Sequence, residues 1–314
     1  MDAKRATLLG LPLLRHYWFN VAVANPVCPV TQHIVVGGPG GVRRLALRSH
    51  RESVMASSGQ LKVLTEEQRR FFADNGYLTL EGMYSTDEMD EMRREFHDLI
   101  TNTEDRPKAM SYDFMEPAPG YPIDPYNPKN VRGMMDQPLA SEYWFNNITD
   151  PRIVNVFIDL FGPDIDFHNG KVRNNPPGFT NKQGWHQDWP YERHSTTDLA
   201  AAIIYLDETG VDAGATTVLP GSHKRGEWPT RDGRTVADED VEGYKAVPML
   251  ANPGDVLFIH VMVLHTAGNN YTNRSRHKII NEYKTKDAID RWGNWCAFAN
   301  LPLARNGEVL IPQL

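Results

Sequence analysis

The chain has 314 residues, 40% of them hydrophobic and 10% aromatic, enough to bury a full core in one domain with an extension. A net charge of −7 disfavours a sequence-independent phosphate-binding surface, so nucleic acid is not an expected partner. Two cysteines, Cys28 and Cys296, cannot build a disulfide framework, which fits a reducing, cytoplasmic setting. No apolar run approaches the ~20 residues of a membrane span, so no membrane partner is expected.

Residues 1–60 set Arg5, Arg15, Arg43, Arg44, Arg48 and Arg51 against only Asp2 and Glu52, with Gly37-Gly38-Pro39-Gly40-Gly41 between them. This composition predicts an N-terminal extension outside the core. Either the natural start lies near Met55, or the segment is an Arg-rich, acid-poor organelle-targeting peptide. The folded domain is expected over 61–314.

Thr65-Glu66-Glu67-Gln68 reads as a capping box opening a helix that ends near Gly76, and Ser85-Thr86-Asp87-Glu88 opens a second that runs to about Ile100. Tyr77 to Leu80 between them is strand-like. The proline-rich stretch from Pro107 to Pro138 predicts a long loop over a site. After Pro151, Arg152 to Phe161 reads as a helix.

Eight short β-rich runs follow: Ile165 to Arg173, Gly184 to Trp189, Leu199 to Leu206, Thr216 to Leu219, Lys245 to Leu250, Val256 to Ile259, Val261 to Thr266, and Arg276 to Tyr283. Such spacing predicts a mainly β fold with flanking helices, a double-stranded β-helix or jelly-roll barrel of the cupin kind. Arg225 to Gly243, acidic toward its end, is expected to be a solvated loop and a lid.

The chemistry is concentrated in two places. His186 and Asp188 are two residues apart, so on a strand both would point to one face. A distant second histidine would complete a facial triad of two imidazoles and one carboxylate, leaving coordination positions open, which suits ferrous iron and oxygen chemistry. His260 and His265 compete for the third position, and their five-residue separation puts them on opposite faces. Among the following residues, Arg276 is a candidate clamp for the far carboxylate of a 2-oxoacid, because a guanidinium gives two parallel bonds.

From Leu61 to about Lys286 the chain resembles the phytanoyl-CoA dioxygenase family of iron(II)- and 2-oxoglutarate-dependent oxygenases, which includes ectoine hydroxylase. The matching segments, in order, are Leu64 to Gln68 with Phe71 to Leu78, Pro177-Gly178-Phe179-Thr180, Trp185-His186-Gln187-Asp188, Leu219 to Lys224, Gly254 to Phe258, and Leu264 to Asn270 with Arg276. The resemblance implies iron(II) on His186, Asp188 and His265, with 2-oxoglutarate and O2 as cosubstrates. The family spacing of eleven residues from the distal histidine selects Arg276 over Arg274 and leaves His260 outward or behind a ligand.

The family often carries serine two residues after that histidine. Here the position is Ala267, so one carboxylate contact is expected from Thr266 or Thr217. Asn169 and Lys171 share a strand face and are expected in the cosubstrate pocket. Trp189, Tyr191 and Arg193 are expected at the substrate rim, whereas His223 reads as part of a turn. Asp188 argues against halogenation, since related halogenases carry a small residue there.

The implied activity is hydroxylation or desaturation of a small natural-product or amino-acid-like molecule by a monomer or homodimer. The alternatives are an acyl-CoA hydroxylase and a non-redox, cupin-like metal-binding isomerase or binding protein. A protein of that last kind has no need of Arg276 as a clamp.

Overall fold

Two capping boxes start the chain's first helices, and both form as the sequence predicts. In the computed structural model, which describes residues 60–116, 124, 126–178, 183–291 and 296–314, helix α1 (Glu66–Asn75) is capped by Thr65 with Gln68. Helix α2 (Thr86–Thr101) is capped by Ser85 with Glu88. Each box pairs backbone N–H groups that a helix start otherwise leaves without partners. Gly76 ends α1 at φ 78°, a left-handed conformation, and an added Cβ there would lie 2.3 Å from Val263 Cγ2. The expected extension lies outside the described residues. The described fold begins with the backbone N–H groups of Lys62, Val63 and Leu64 donating to the buried Asp159 carboxylate at 2.7–2.9 Å.

The strands, in chain order, are β1 (Tyr77–Leu80), β2 (Ser111–Phe114), β3 (Val131–Met135), β4 (Ile165–Asn175), β5 (Gln183–His186), β6 (Leu199–Tyr205), β7 (Thr216–Val218), β8 (Val247–Pro248), β9 (Val256–His260), β10 (His265–Ala267), β11 (Arg276–Thr285), β12 (Pro302–Arg305) and β13 (Glu308–Val309). The larger sheet runs β1-β9-β6-β11-β4-β12-β13, with β3 also on β4 and β2 on β3. A second sheet runs β5-β10-β7-β8. Neighbouring strands are antiparallel throughout.

Alternation along the central strands separates two apolar layers. Ala201, Ile203 and Tyr205 of β6, Leu257 and Ile259 of β9, and Ile280 of β11 pack with Val218 of β7 in the space between the sheets. Their neighbours Ala200, Ala202, Ile204, Val256, Phe258, Ile279 and Tyr283 pack on the other side against α1, α2, α3 (Glu142–Ile148) and α4 (Pro151–Phe161). Period-two side chains on strands with both faces covered produce this partition. The result is the curled, two-sheet jelly roll with flanking helices that the sequence predicts.

Four expectations need correction. The run predicted from Val261 to Thr266 is strand only from His265, because 261–263 form a turn in which Val263 N donates to the His260 carbonyl. The segment 107–138 contains the β2/β3 hairpin, with Val131 and Met134 fully buried; its prolines lie outside those two strands. The run predicted from Gly184 to Trp189 ends as a strand at His186, and Trp189–Glu192 forms a short helix, α5, with Pro190 in its first turn. The 225–243 segment is not wholly solvated. Trp228 and Val236 are buried with Leu219 and Leu264, while Asp238, Glu239 and Asp240 in α6 (Asp238–Val241) are exposed. Among the described residues, no helix is long and apolar enough to cross a membrane.

Candidate active site

His186 ends β5 and His265 begins β10, and the two are direct cross-strand partners with ring centroids 4.2 Å apart. Asp188 lies just beyond β5, at the start of α5. Its two carboxylate oxygens face one imidazole each: Oδ1 is 3.8 Å from His186 Nε2 and Oδ2 is 3.8 Å from His265 Nε2. One ligand atom from each of the three lies within 4.8 Å of the others, a spacing that a single cation with bonds of roughly 2 Å can span.

Backbone carbonyls set the tautomers. Nδ1 of His186 lies 2.9 Å from the Gly184 carbonyl and Nδ1 of His265 lies 3.1 Å from that of Val263. A carbonyl only accepts, so each Nδ1–H donates and each Nε2 lone pair is left facing Asp188. Burial, and then the neighbouring His186, pushes the pKa of His265 down to about 4, so its imidazole is neutral and ready to ligate at ordinary pH. Burial acts against ionisation of Asp188, but His265, Lys171, His186 and Lys278 outweigh it and hold the carboxyl below its usual range.

Gln187 positions this group, although the sequence marks it only as a motif member. Its amide nitrogen donates to the carbonyls of Met262 (2.6 Å) and Gly226 (2.9 Å), and its oxygen accepts from Trp228 N (2.9 Å), all in the interior. The side chain thus ties the link between His186 and Asp188 to the β9–β10 connection and to the 225–228 segment. Gln187→Leu strands three polar groups, and we expect a loss of about 2–4 kcal/mol in unfolding free energy. Iron affinity should fall about 10- to 100-fold. Denaturant titration and ferrous-ion titration measure the two effects.

Arg276, the first residue of β11, is 1% exposed, and none of its three side-chain nitrogens has a hydrogen-bond partner. The Tyr205 and Thr216 hydroxyls are buried beside each other and have no other partner. Unpaired buried donors on this scale are costly and point to a ligand that satisfies them. A carboxylate fits the guanidinium fork. Asn270 fixes where β11 starts, donating at 2.7 Å to the carbonyls of both Asn175 and Arg274.

Thr266 and Thr217, the residues expected to make a carboxylate contact, are cross-strand partners that alternate with the inward-facing Val218. The Thr266 hydroxyl donates to the Gln183 carbonyl, and that of Thr217 has only a 3.5 Å approach to Ala215 O. The cross-strand partner of Ala267 is Thr216, whose buried hydroxyl lies beside that of Tyr205. No local signal marks Thr216, because strand pairing selects it.

Asn169 and Lys171 do line the inner face of β4, but both are engaged with Glu282 of β11: Lys171 by an ion pair and Asn169 Nδ2 by a 3.0 Å hydrogen bond. Burial, with Glu192 and Asp188 nearby, pushes the pKa of Glu282 up to about 7 in spite of Lys171. Trp189 packs on Leu199, Val261 and Met262. Tyr191 lies under Arg234, 4.9 Å from ring centroid to guanidinium, and Arg193 pairs with Glu227 at 2.7 Å.

His260 is 1% exposed on the opposite face of β9 from Ile259, beside Phe72, Phe161 and His223, away from the triad. His223 sits beneath Gly76 and takes no part in the triad. Two cations that the sequence reading did not single out, Arg173 and Lys278, lie on the wall that carries Lys171 and Arg276.

The sequence matches the phytanoyl-CoA dioxygenase family over residues 72–278. A probable alpha-ketoglutarate-dependent hypophosphite dioxygenase of Stutzerimonas stutzeri is 27% identical over 235 residues, spanning 71% of this chain and 79% of that protein. The peroxisomal phytanoyl-CoA dioxygenase of Homo sapiens is 27% identical over 244 residues, spanning 72% and 70%. Among solved structures, EctD of S. alaskensis with bound Fe superposes with a TM-score of 0.64 at 19% identity, covering 76% of this chain and 83% of that one. The epimerase SnoN in complex with Fe3+, alpha ketoglutarate and nogalamycin RO gives 0.60 at 20% identity, covering 72% and 85%. At these identities the structural likeness is one of fold.

Proposed function

The chain belongs to the phytanoyl-CoA dioxygenase family, and from that premise we propose that it oxidises an unactivated C–H bond of a small substrate, with His186, Asp188 and His265 holding iron(II) and Arg276 anchoring 2-oxoglutarate. It is a 2-oxoglutarate-dependent dioxygenase that uses iron, 2-oxoglutarate and O2. The observation that carries the residue assignment is the pairing of two Nε2 lone pairs on one carboxylate with a buried, unsatisfied guanidinium in the same domain.

Iron held by His186, Asp188 and His265 would supply dioxygen activation, coupling oxidation of the substrate C–H bond to oxidative decarboxylation of 2-oxoglutarate to succinate and carbon dioxide. The chain's own residues do the positioning. Gly184 and Val263 carbonyls orient the imidazoles, Gln187 fixes the turn to Asp188, and Arg276 with Tyr205 and Thr216 forms a dry carboxylate seat. Ile203, Leu257, Ile259 and Ile280 exclude water from the wall between.

A small substrate suits the rim better than a CoA thioester. The exposed part of the 225–243 segment is net acidic, with Glu227, Asp232, Asp238, Glu239, Asp240 and Glu242 against Arg225, Arg231 and Arg234, a balance that disfavours phosphates. Part of that segment reaches the site, since Thr235 bridges to His186. The test is anaerobic loading with ferrous ion and 2-oxoglutarate, followed by oxygen. We expect a visible absorption band from the ferrous 2-oxoglutarate complex, then succinate release. A wild-type protein that binds neither would refute the reading.

A further inference from the structure

The inner face of the larger sheet, on the side of the triad, carries more positive charge than iron and 2-oxoglutarate can use. On β4, Lys171 and Arg173 face inward, and on β11 so do Arg276 and Lys278. Arg173 and Lys278 are direct cross-strand partners, as are Arg276 and Asn175, and Ile280 and Lys171. Like charges placed opposite each other on one sheet face repel, and burial strengthens the repulsion. Lys278 is 8% exposed.

The counter-charges are committed elsewhere. Glu282 takes Lys171, and Asp113, the carboxylate next to Arg173, is held by Arg132 at 2.5 Å. Asp188 acts on both Arg173 and Lys278, but it is one of the three residues assigned to iron. Among the described residues, neither Arg173 nor Lys278 makes a side-chain hydrogen bond or ion pair. With iron(II) on the triad, one 2-oxoglutarate carboxylate offsets the excess charge of the metal centre and the other offsets Arg276. Two cations are left over.

Room has been made for one of them. A Cβ at Gly133, the β3 partner of Arg173, would fall 2.1 Å from Arg173 Nη1, so the glycine is what lets the guanidinium lie there. A surplus charge without purpose would be removed at no structural cost by an apolar residue of similar length.

We propose that Arg173 and Lys278 form an anion seat for the primary substrate, which therefore carries a carboxylate, sulfonate or phosphonate group beside the carbon or other centre that is oxidised. This rests on the dioxygenase reading and narrows it. Lys278 stands two residues beyond Arg276 on the same face, so the substrate anion and the far carboxylate of 2-oxoglutarate occupy adjacent positions along one strand.

The test uses the full chain loaded anaerobically with ferrous ion and 2-oxoglutarate, titrated with methylphosphonate, methanesulfonate and propionate, and with propionamide and dimethyl sulfone as uncharged counterparts. The readout is the shift of the ferrous 2-oxoglutarate band, with calorimetry alongside. At least one acid is expected to bind, the uncharged compounds not. Lys278→Met and Arg173→Met should each weaken that acid about 10-fold or more while 2-oxoglutarate affinity stays within about 3-fold. Ligand-free Lys278→Met should melt no lower than wild type, because it relieves the repulsion.

Binding of uncharged compounds as tight as that of acids, or binding of no acid, overturns the proposal. So does loss of 2-oxoglutarate affinity in Lys278→Met, which would make it a cosubstrate residue, or a lowered melting temperature with ligand binding unchanged. A wild-type protein that shows no ferrous 2-oxoglutarate band fails at the earlier reading instead, so the two failures are distinguishable.

Discussion

His265→Ala is expected to lose more than about 100-fold in iron affinity and all detectable turnover, while His260→Ala keeps its iron. The difference follows from where the two side chains lie. His265 turns its Nε2 to Asp188 with Nδ1–H donated to Val263, whereas His260 is enclosed by Phe72, Phe161 and His223 behind β9. Removing a ligand takes away a metal bond, and even an outer partner of a ligand is worth 10- to 100-fold, so the first-named loss is the larger. His260→Ala opens a hole in the outer core and should show up as reduced melting temperature.

The pH dependence has a definite sign. Only neutral imidazole ligates, and His265 protonates near pH 4, so iron loading of wild type should hold through neutral pH and fall as the pH approaches 4. Retained iron in His265→Ala with loss in His260→Ala would reverse the assignment.

Arg276→Ala should raise the 2-oxoglutarate requirement about 30- to 150-fold, from the loss of roughly 2–3 kcal/mol of charge-assisted bonding in a water-poor seat. Arg274→Ala should change it little, since Arg274 is exposed and lies 3.8 Å from Glu208 at the surface. A separate effect is expected on stability. The Arg276 guanidinium is buried without a hydrogen-bond partner, and burial lowers its pKa. The cosubstrate-free protein is therefore expected to tolerate Arg276→Met without a fall in melting temperature. Equal 2-oxoglutarate constants for wild type and Arg276→Ala, with Arg274→Ala impaired, would move the role to the neighbour.

What was legible without coordinates is what local rules encode. Helix starts at Thr65 and Ser85 need only residues three apart, and most strands from β4 to β11 need only a period of two bounded by turn residues, whereas β12 and β13 lie beyond the runs read from the sequence. The triad candidates were legible because the chemistry restricts residue types, and Arg276 because its spacing from His265 matches the resemblance. The choice between His260 and His265 needed that resemblance, since alternation says only that they face opposite ways.

Pairing across strands is not written in local spacing. Thr216 stands opposite Ala267, and Lys278 opposite Arg173, only because β7 meets β10 and β11 meets β4 in one register of several that sequence alone allows. Asp188 reaches the two imidazoles from a helix start rather than from the predicted strand, because the Trp189-Pro190 step favours a first helical turn and Gln187 anchors the bend to segments about 40 and 75 residues away. The hairpin of β2 and β3 escaped notice because the abundant prolines between Pro107 and Pro138 hid a pair of strands that owe their stability to β4. Residue types and their spacing along the chain determine which chemistry is available. Register and burial, which depend on contacts between distant segments, determine which charges remain unpaired, and so where a ligand is bound.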